Sequence, residues 1–358
     1  MNSPDPAVWF PTIRANSGVD VFTQRLCKEL IARGYRAEIT WLPLRAEYAP
    51  WSVPVPRPPA WANIVHVNSW LHPRFLPKHL PVISTVHSCV HDDALTPYKR
   101  HAQRLYHTLW IKRVEAANLS RANKVVAVSE YTATQAQKVF GKHDITVIYN
   151  GVDTELFHPL ERSAPNTPFR LLYVGNWNYL KGVDMLAPIM KELGEGFELW
   201  YTADRSNRHE SYSLPSNCRC LGRLAGNDLI HAYQNADALI FPSRTEGFGL
   251  VAVEAMACGL PVIASHTSSL PEVVRHGESG WLCPVDNVEA FLSAIHEATN
   301  ELKRYKAIRE SARESAQHNF SINISVDNWI NLYNCTVSNT SFSQPTNTPR
   351  PESELFRQ

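Results

Sequence analysis

Two glutamates, Glu246 and Glu254, stand eight residues apart in EGFGLVAVEAMACGLPVIAS, around Gly247-Phe248-Gly249. Three chemistries could use that pattern. A glycosidase pair needs its carboxyls within about 5–9.5 Å of each other. Eight helical residues rise about 12 Å, and Glu246 falls in the loop before the helix, so the two acids are poorly placed to flank one bond. A dinucleotide site is suggested by Gly247-x-Gly249-x-x-Ala252, which follows a strand and opens a helix. However, the next strand ends in Ser265-His266, with no acid to hold a ribose. The third chemistry fits better. Glycines let backbone approach a ligand, and a helix start suits an anion such as diphosphate. One carboxylate on each side would then hold hydroxyls at the two ends of a nucleotide sugar. Against it stands the plainer reading that Glu246 caps the helix and Glu254 is a solvated helix residue.

Such a site needs elements to hold it. Short apolar runs, AVWFP, YRAEITWL, NIVHVNSW, LPVISTVH, KVVAVS and DITVIYNG, alternate with helical patterns through the first half. VDVFTQRLCKELIARG has apolar residues at helical spacing and ends at Gly34. A proline-rich stretch from Pro43 to Pro59 reads as irregular. A long helical region at about 95–120 carries Leu105, Leu109 and Val114. VDTELFHPLERSAPNTP is polar, proline-bearing and aperiodic, a linker. A second strand series follows: FRLLYVGN, FELWYTA, CRCLGR, DALIFPS, PVIAS and GWLCP. The fold class is therefore α/β, with two doubly wound parallel-sheet domains facing a cleft. The expected division is residues 1–152, a linker over 153–168, a second domain over 169–320, a final helix over 321–335 returning to the first domain, and a disordered Ser/Thr/Pro-rich tail over 336–358.

Composition removes several classes. The 358 residues are 44% hydrophobic and 19% charged with a formal net charge of +1, so no global field argues for nucleic acid. No apolar run reaches the roughly 18 residues of a membrane span, and the first residues lack the pattern of a secretory signal. Cytoplasmic residence is expected, at most peripheral to the inner face of the membrane. Seven scattered cysteines read as reduced thiols, and Cys218-x-Cys220 is too short for a zinc site.

LYVGNWNYLKG, VIYNGVDTELFHP, ADALIFPSRTEGFGLVAVEAMACGLPVIAS and LPEVVRHGESGWLC, taken together and in this order, resemble the retaining glycosyltransferases of family 4. The resemblance runs up to about Tyr333 and implies the GT-B fold, two Rossmann-like domains across a cleft. It implies that Glu246 faces the donor sugar, that the amides of Gly247, Phe248, Gly249 and Leu250 line sugar and phosphate, and that Glu254 holds the ribose. It places Lys181 on the diphosphate, the Gly18 loop against phosphate from across the cleft, and His87 on the donor sugar. His91 and Asp92 follow as acceptor contacts. The family's arginine after the first C-domain glycine is Asn176 here, which donates a hydrogen bond but no charge. Either Arg14 or Arg223 substitutes, or diphosphate is held less tightly.

With no Asp-x-Asp in the chain, no metal and no cofactor beyond the nucleotide diphosphate sugar co-substrate are expected. The implied reaction is retaining, metal-independent hexose transfer to a glycan or lipid-linked glycan, in cell-surface polysaccharide or lipopolysaccharide synthesis. A non-catalytic sugar-nucleotide-binding pseudoenzyme and a GT-B epimerase are the alternatives. Between Lys99 and Lys142, nine basic residues face Glu115 and Glu130. That basic stretch suits an anionic membrane or an anionic glycan acceptor, or is a solvated helix face.

Overall fold

Short apolar runs build two sheets, whose inner strands are buried on both faces and whose outer strands are partly exposed. The computed structural model describes residues 4–15, 17–141, 144–162, 164–203 and 213–341. The first sheet holds β1 (Ala7–Ile13), β2 (Arg36–Leu42), β3 (Ile64–Asn68), β4 (Val82–Val86), β5 (Lys124–Ala127) and β6 (Ile145–Val147), in the order β2-β1-β3-β4-β5-β6. The second holds β7 (Phe169–Tyr173), β8 (Phe197–Thr202), β9 (Cys218–Gly222), β10 (Ala238–Phe241), β11 (Val262–Ser265) and β12 (Gly280–Cys283), in the order β12-β11-β10-β7-β8-β9. Every strand pairing is parallel. Strand order reverses between β1 and β3 in one sheet and between β7 and β10 in the other. Open α/β sheets bind ligands beyond the carboxyl ends of strands at such points.

The chain crosses between the domains twice at one place. Val152 donates its N–H to the Phe320 carbonyl (2.9 Å), and Ile322 donates to the Val152 carbonyl (2.8 Å). A Cβ on Gly151 would lie 2.6 Å from the Ile322 Cα, so only glycine lets the two crossings run side by side. The last helix, Ile322–Ser341, then packs Val326, Trp329 and Tyr333 into the core of the first domain with Val8, Phe10 and Ile64. Tyr333 Oη meets His66 Nδ1 at 2.7 Å, and the other ring nitrogen meets Thr85 Oγ1 at 2.7 Å.

Three expectations need correction. The Pro43–Pro59 stretch is not wholly irregular: Arg45–Tyr48 is a helical turn and Pro50–Ser52 a 3-10 turn. Pro50 sits at the first position of its turn, where its missing N–H costs nothing. Leu105 and Leu109 are exposed, while His107, Ile111 and Val114 are buried. His107, Ile111 and Val114 recur at i, i+4 and i+7 and so share one helix face, while Leu105 and Leu109 fall on the opposite side; a π-helical segment lies at His107–Ile111. The region expected to be disordered from residue 336 is helical through Ser341, because Val337 packs into the first domain's core and Thr336 Oγ1 donates to the Leu332 carbonyl (2.7 Å). Residues 342–358 of that expectation, like Lys142 of the basic stretch, lie outside the described residues. Among the described residues no helix is long and apolar enough to cross a membrane.

Candidate active site in the interdomain cleft

A cavity of about 640 Å³ opens between the carboxyl ends of the two sheets. From the first domain it is lined by Gly18, which starts the helix Gly18–Ala32, and by His87 just beyond β4. From the second domain come Asn176, Lys181, Arg223 and the run from Glu246 to Leu250. Residues far apart in the chain thus meet in one place.

Lys181 is held by its loop. Gly182 has φ of +68°, and a Cβ there would fall 2.0 Å from the Pro242 carbonyl oxygen, so the loop lies directly on the chain leaving β10. Arg244 clamps it. Its N–H donates to the Leu180 carbonyl (2.8 Å), and its guanidinium donates to both Asp184 oxygens (2.7 Å each) and stacks over Tyr179 (3.9 Å). The Lys181 ammonium then meets Glu246 Oε1 at 2.6 Å, and Ser243 Oγ donates to the same oxygen (2.7 Å).

Glu246 does not cap the helix. Its N–H donates to Ser268 Oγ (2.9 Å), and the helix Leu250–Ala257 begins after Gly249, in the left-handed region at φ +96°, with no side-chain cap. The Ala252 N–H already donates to the Gly249 carbonyl (2.9 Å), and with no side-chain cap the Leu250 and Val251 N–H groups face a ligand. Gly247 has a second reason to lack a side chain. A Cβ there would lie 1.9 Å from the His87 carbonyl oxygen, so the two domains touch at this residue. The Gly247 carbonyl accepts from Ser129 Oγ (2.7 Å) and Thr132 Oγ1 (3.0 Å), and Glu272 accepts the N–H groups of Glu130 and Tyr131 (2.8 Å each). Glu272 thereby places a carboxylate at the positive end of the first-domain helix Glu130–Phe140. These contacts hold the two domains together along one side of the cleft.

His87 packs edge-on against Phe22 at 4.8 Å, and burial pushes its pKa down to about 4. At neutral pH it is an uncharged imidazole, able to hydrogen-bond a sugar hydroxyl but not to serve as a cationic acid. Asn176 is exposed on the cleft wall. Of the two arginines considered for its missing charge, Arg223 lines the cleft. Arg14 is turned over the Trp41 ring at 4.7 Å and does not line it.

Glu254 lies one layer behind the wall and is not a solvated helix residue. Its Oε1 accepts from Arg25 Nη2 (2.8 Å), and its Oε2 accepts from Tyr233 Oη (3.2 Å). Arg25 comes from the first domain, 229 residues away. No local pattern marks that pair, and the sequence reading missed it, along with Ser243, Arg244 and Ser268. His91 and Asp92 are also not at the cleft. The His91 side chain is buried with its Nε2 3.4 Å from Glu115 Oε2, and Asp92 is buried, accepting from Tyr131 Oη and the Ala94 N–H. They order the first domain from within. Among the described residues no three His, Cys, Asp or Glu side chains converge as metal ligands.

The glycosyl transferases group 1 model matches residues 158–315, and the Glycosyltransferase Family 4 model matches residues 59–156. The chain belongs to the family 4 glycosyltransferases. Its fold is GT-B. The chain is 28% identical over 280 residues to glycogen synthase of Mycobacterium tuberculosis, covering 72% of this chain and 65% of that one, slightly under two thirds of the relative's length. In structure it is similar to the sucrose-phosphate synthase of Thermosynechococcus elongatus, with a TM-score of 0.74 and 20% identity over 92% of this chain and 99% of that one. It is also similar to Anabaena HepE, solved in complex with UDP and glucose, with a TM-score of 0.68 and 18% identity over 95% of this chain and all of the other.

Proposed function

We propose that this protein is a retaining, metal-independent glycosyltransferase. It moves a hexose from a nucleotide diphosphate sugar to a glycan or lipid-linked glycan. The observation that carries the reading is the junction of Lys181, Glu246 and the open helix start at Gly249–Leu250 in one cleft. HepE, of the same fold, has been solved with UDP and glucose, which supports a similar ligand here. The diphosphate lies on the helix start, beside Lys181 and Arg223, and the sugar faces Glu246 and neutral His87. Cations and amides fixed before the reaction stabilise the leaving diphosphate as its charge develops. The acceptor oxygen attacks the anomeric carbon from the face the diphosphate leaves. The bond from that carbon to the diphosphate oxygen breaks, and the same oxygen takes the acceptor's proton. Donor and acceptor filling the cleft keep water from competing.

Glu254 serves the ribose in this reading, and the ribose hydroxyls take its carboxylate from Arg25. The protein works in the cytoplasm, where the first domain touches anionic membrane. Tyr48, Trp51, Leu105 and Leu109 are exposed, the Trp51 and Trp110 rings meet at 6.2 Å, and Arg104, Lys112 and Arg113 on the same helical stretch are exposed as well. A basic, apolar face of that kind suits anionic headgroups. The product serves cell-surface polysaccharide or lipopolysaccharide assembly.

The test is a melting-temperature screen against UDP-, GDP- and ADP-sugars, since a ligand that binds only the folded protein raises it. The stabilising donor is then incubated with glycan acceptors. Release of nucleoside diphosphate dependent on acceptor supports transfer. Binding with no release under any acceptor would make the chain a pseudoenzyme, and an altered donor sugar without acceptor would make it an epimerase.

A further inference from the structure

A second cavity, of about 280 Å³, lies wholly in the first domain and meets the cleft, sharing Val19, His87 and Ser88 with it. That is near the lower end of ligand pockets, which run to roughly 300–1,000 Å³, and suits one sugar ring better than a chain. Trp70, Leu71 and Ile13 give it an apolar side, and Glu47 and Asn68 a polar one. Among the described residues lining it, the charged ones are Asp20 and Glu47, both acidic. Asp20 accepts the Ala15 N–H (3.1 Å). Glu47 is fixed from two sides: its Oε1 accepts from Tyr106 Oη (3.2 Å), and its carbonyl accepts from Trp110 Nε1 (2.8 Å). Burial pushes its carboxyl pKa up, and the Tyr106 hydrogen bond opposes that shift.

We infer that this side cavity holds the terminal residue of the acceptor, and that it selects an uncharged sugar ring. The inference rests on the donor reading of the adjoining cleft. An aromatic face with a few convergent polar groups fits a sugar, which has an apolar ring face and hydroxyls at its edge. Trp70 meets the ring face, and Glu47 accepts hydrogen bonds from ring hydroxyls. The reacting hydroxyl passes His87 and Ser88 into the cleft. A uronate or sugar phosphate would bring its charge against Glu47, with no lysine or arginine among the described residues of the wall, and like charges at close range disfavour binding. The basic stretch from Lys99 onward therefore does not set acceptor charge at the reacting end.

The experiment measures binding without turnover. The protein is saturated with the nucleoside diphosphate that stabilises it. It is then titrated with octyl glucoside, galactoside, mannoside and N-acetylglucosaminide below their micelle thresholds, and with the matching octyl uronides, by ligand-observed NMR. At least one neutral glycoside should bind ten-fold or more tightly than its uronide. Trp70→Ala should weaken that binding at least five-fold, and Glu47→Lys should narrow or reverse the preference. Both variants should keep the nucleotide-induced rise in melting temperature, which shows an intact fold and cleft. Equal or tighter binding of uronides, no binding of any neutral glycoside to nucleotide-loaded protein, or unchanged binding in Trp70→Ala would overturn the inference. Absence of any nucleotide effect on the wild type would instead sink the donor reading.

Discussion

Replacing Arg25 with methionine should move stability and nucleotide affinity in opposite directions. Arg25 Nη2 lies 2.8 Å from Glu254 Oε1; the glutamate side chain is 8% exposed and the arginine side chain 32%. Removing one partner of a fully buried pair costs about 3–5 kcal/mol. Exposed pairs contribute only about 0–1 kcal/mol. A pair with a buried anion and a third-exposed cation falls between, so we expect Arg25→Met to lower the stability of the unliganded protein by about 1–3 kcal/mol. At ~2–4 °C per kcal/mol, that is a loss of several degrees in melting temperature. Methionine keeps much of the apolar stem, which limits the loss to the charge. With nucleotide the sign reverses. In the proposed reading the ribose takes Glu254 Oε1 from the guanidinium, so binding in the wild type carries the cost of breaking that pair. In the variant that exchange is gone, and each ~1.4 kcal/mol of relieved competition tightens binding about ten-fold. Scanning fluorimetry without ligand, with calorimetric titration of the stabilising nucleoside diphosphate, reads both effects. A variant that melts lower yet binds nucleotide no more tightly than the wild type would refute the exchange, and unaltered affinity in Glu254→Gln would remove the ribose role altogether.

Lys181→Met should weaken donor binding by about ten- to a hundred-fold, the usual worth of a charged hydrogen bond being ~1.5–3 kcal/mol. Its turnover should fall as well, and equal donor affinity in a titration would show that the lysine serves only Glu246. Glu246→Gln should keep nucleotide affinity within a few-fold and lose most turnover, and a variant with near-normal kcat would contradict its placement on the sugar. Gly247→Ala puts a Cβ where the His87 carbonyl stands, 1.9 Å away; turnover should collapse while the isolated fold melts within a few degrees of wild type, and normal kcat would argue against a closed working state. Burial lowers the pKa of His66 to about 3 and of His87 to about 4. Both are neutral in the folded protein where the unfolded chain begins to bind protons, so their contribution to stability is full above about pH 6.5 and is lost as pH falls from there toward 4, by up to ~1.4 kcal/mol per pH unit for each group. A melting temperature flat from pH 7.5 to 4.5 would refute this.

Alternation of short apolar runs with helical periods determined the twelve strands and the two-domain plan, because burial of the inner strands of a parallel sheet leaves a local apolar mark. The four motifs, read by resemblance, pointed to Lys181, Glu246 and the glycine turn, and these do meet in one cleft. What the sequence could not supply was anything set by contact between distant segments. The Arg25–Glu254 pair joins residues 229 positions apart, and the Gly247–His87 contact exists only because two domains close on each other. Neither leaves a period or a spacing. His91 and Asp92 follow His87 in the chain, yet the backbone turns them inward to Glu115 and Tyr131. Leu105 and Leu109 are exposed because the buried face of their helix is the one that carries His107, Ile111 and Val114, and which face turns inward is set by what it packs against. Local chemistry is written residue by residue, but which carboxylate is free and which arginine reaches the cleft was decided by packing between parts of the chain that never lie near each other in sequence.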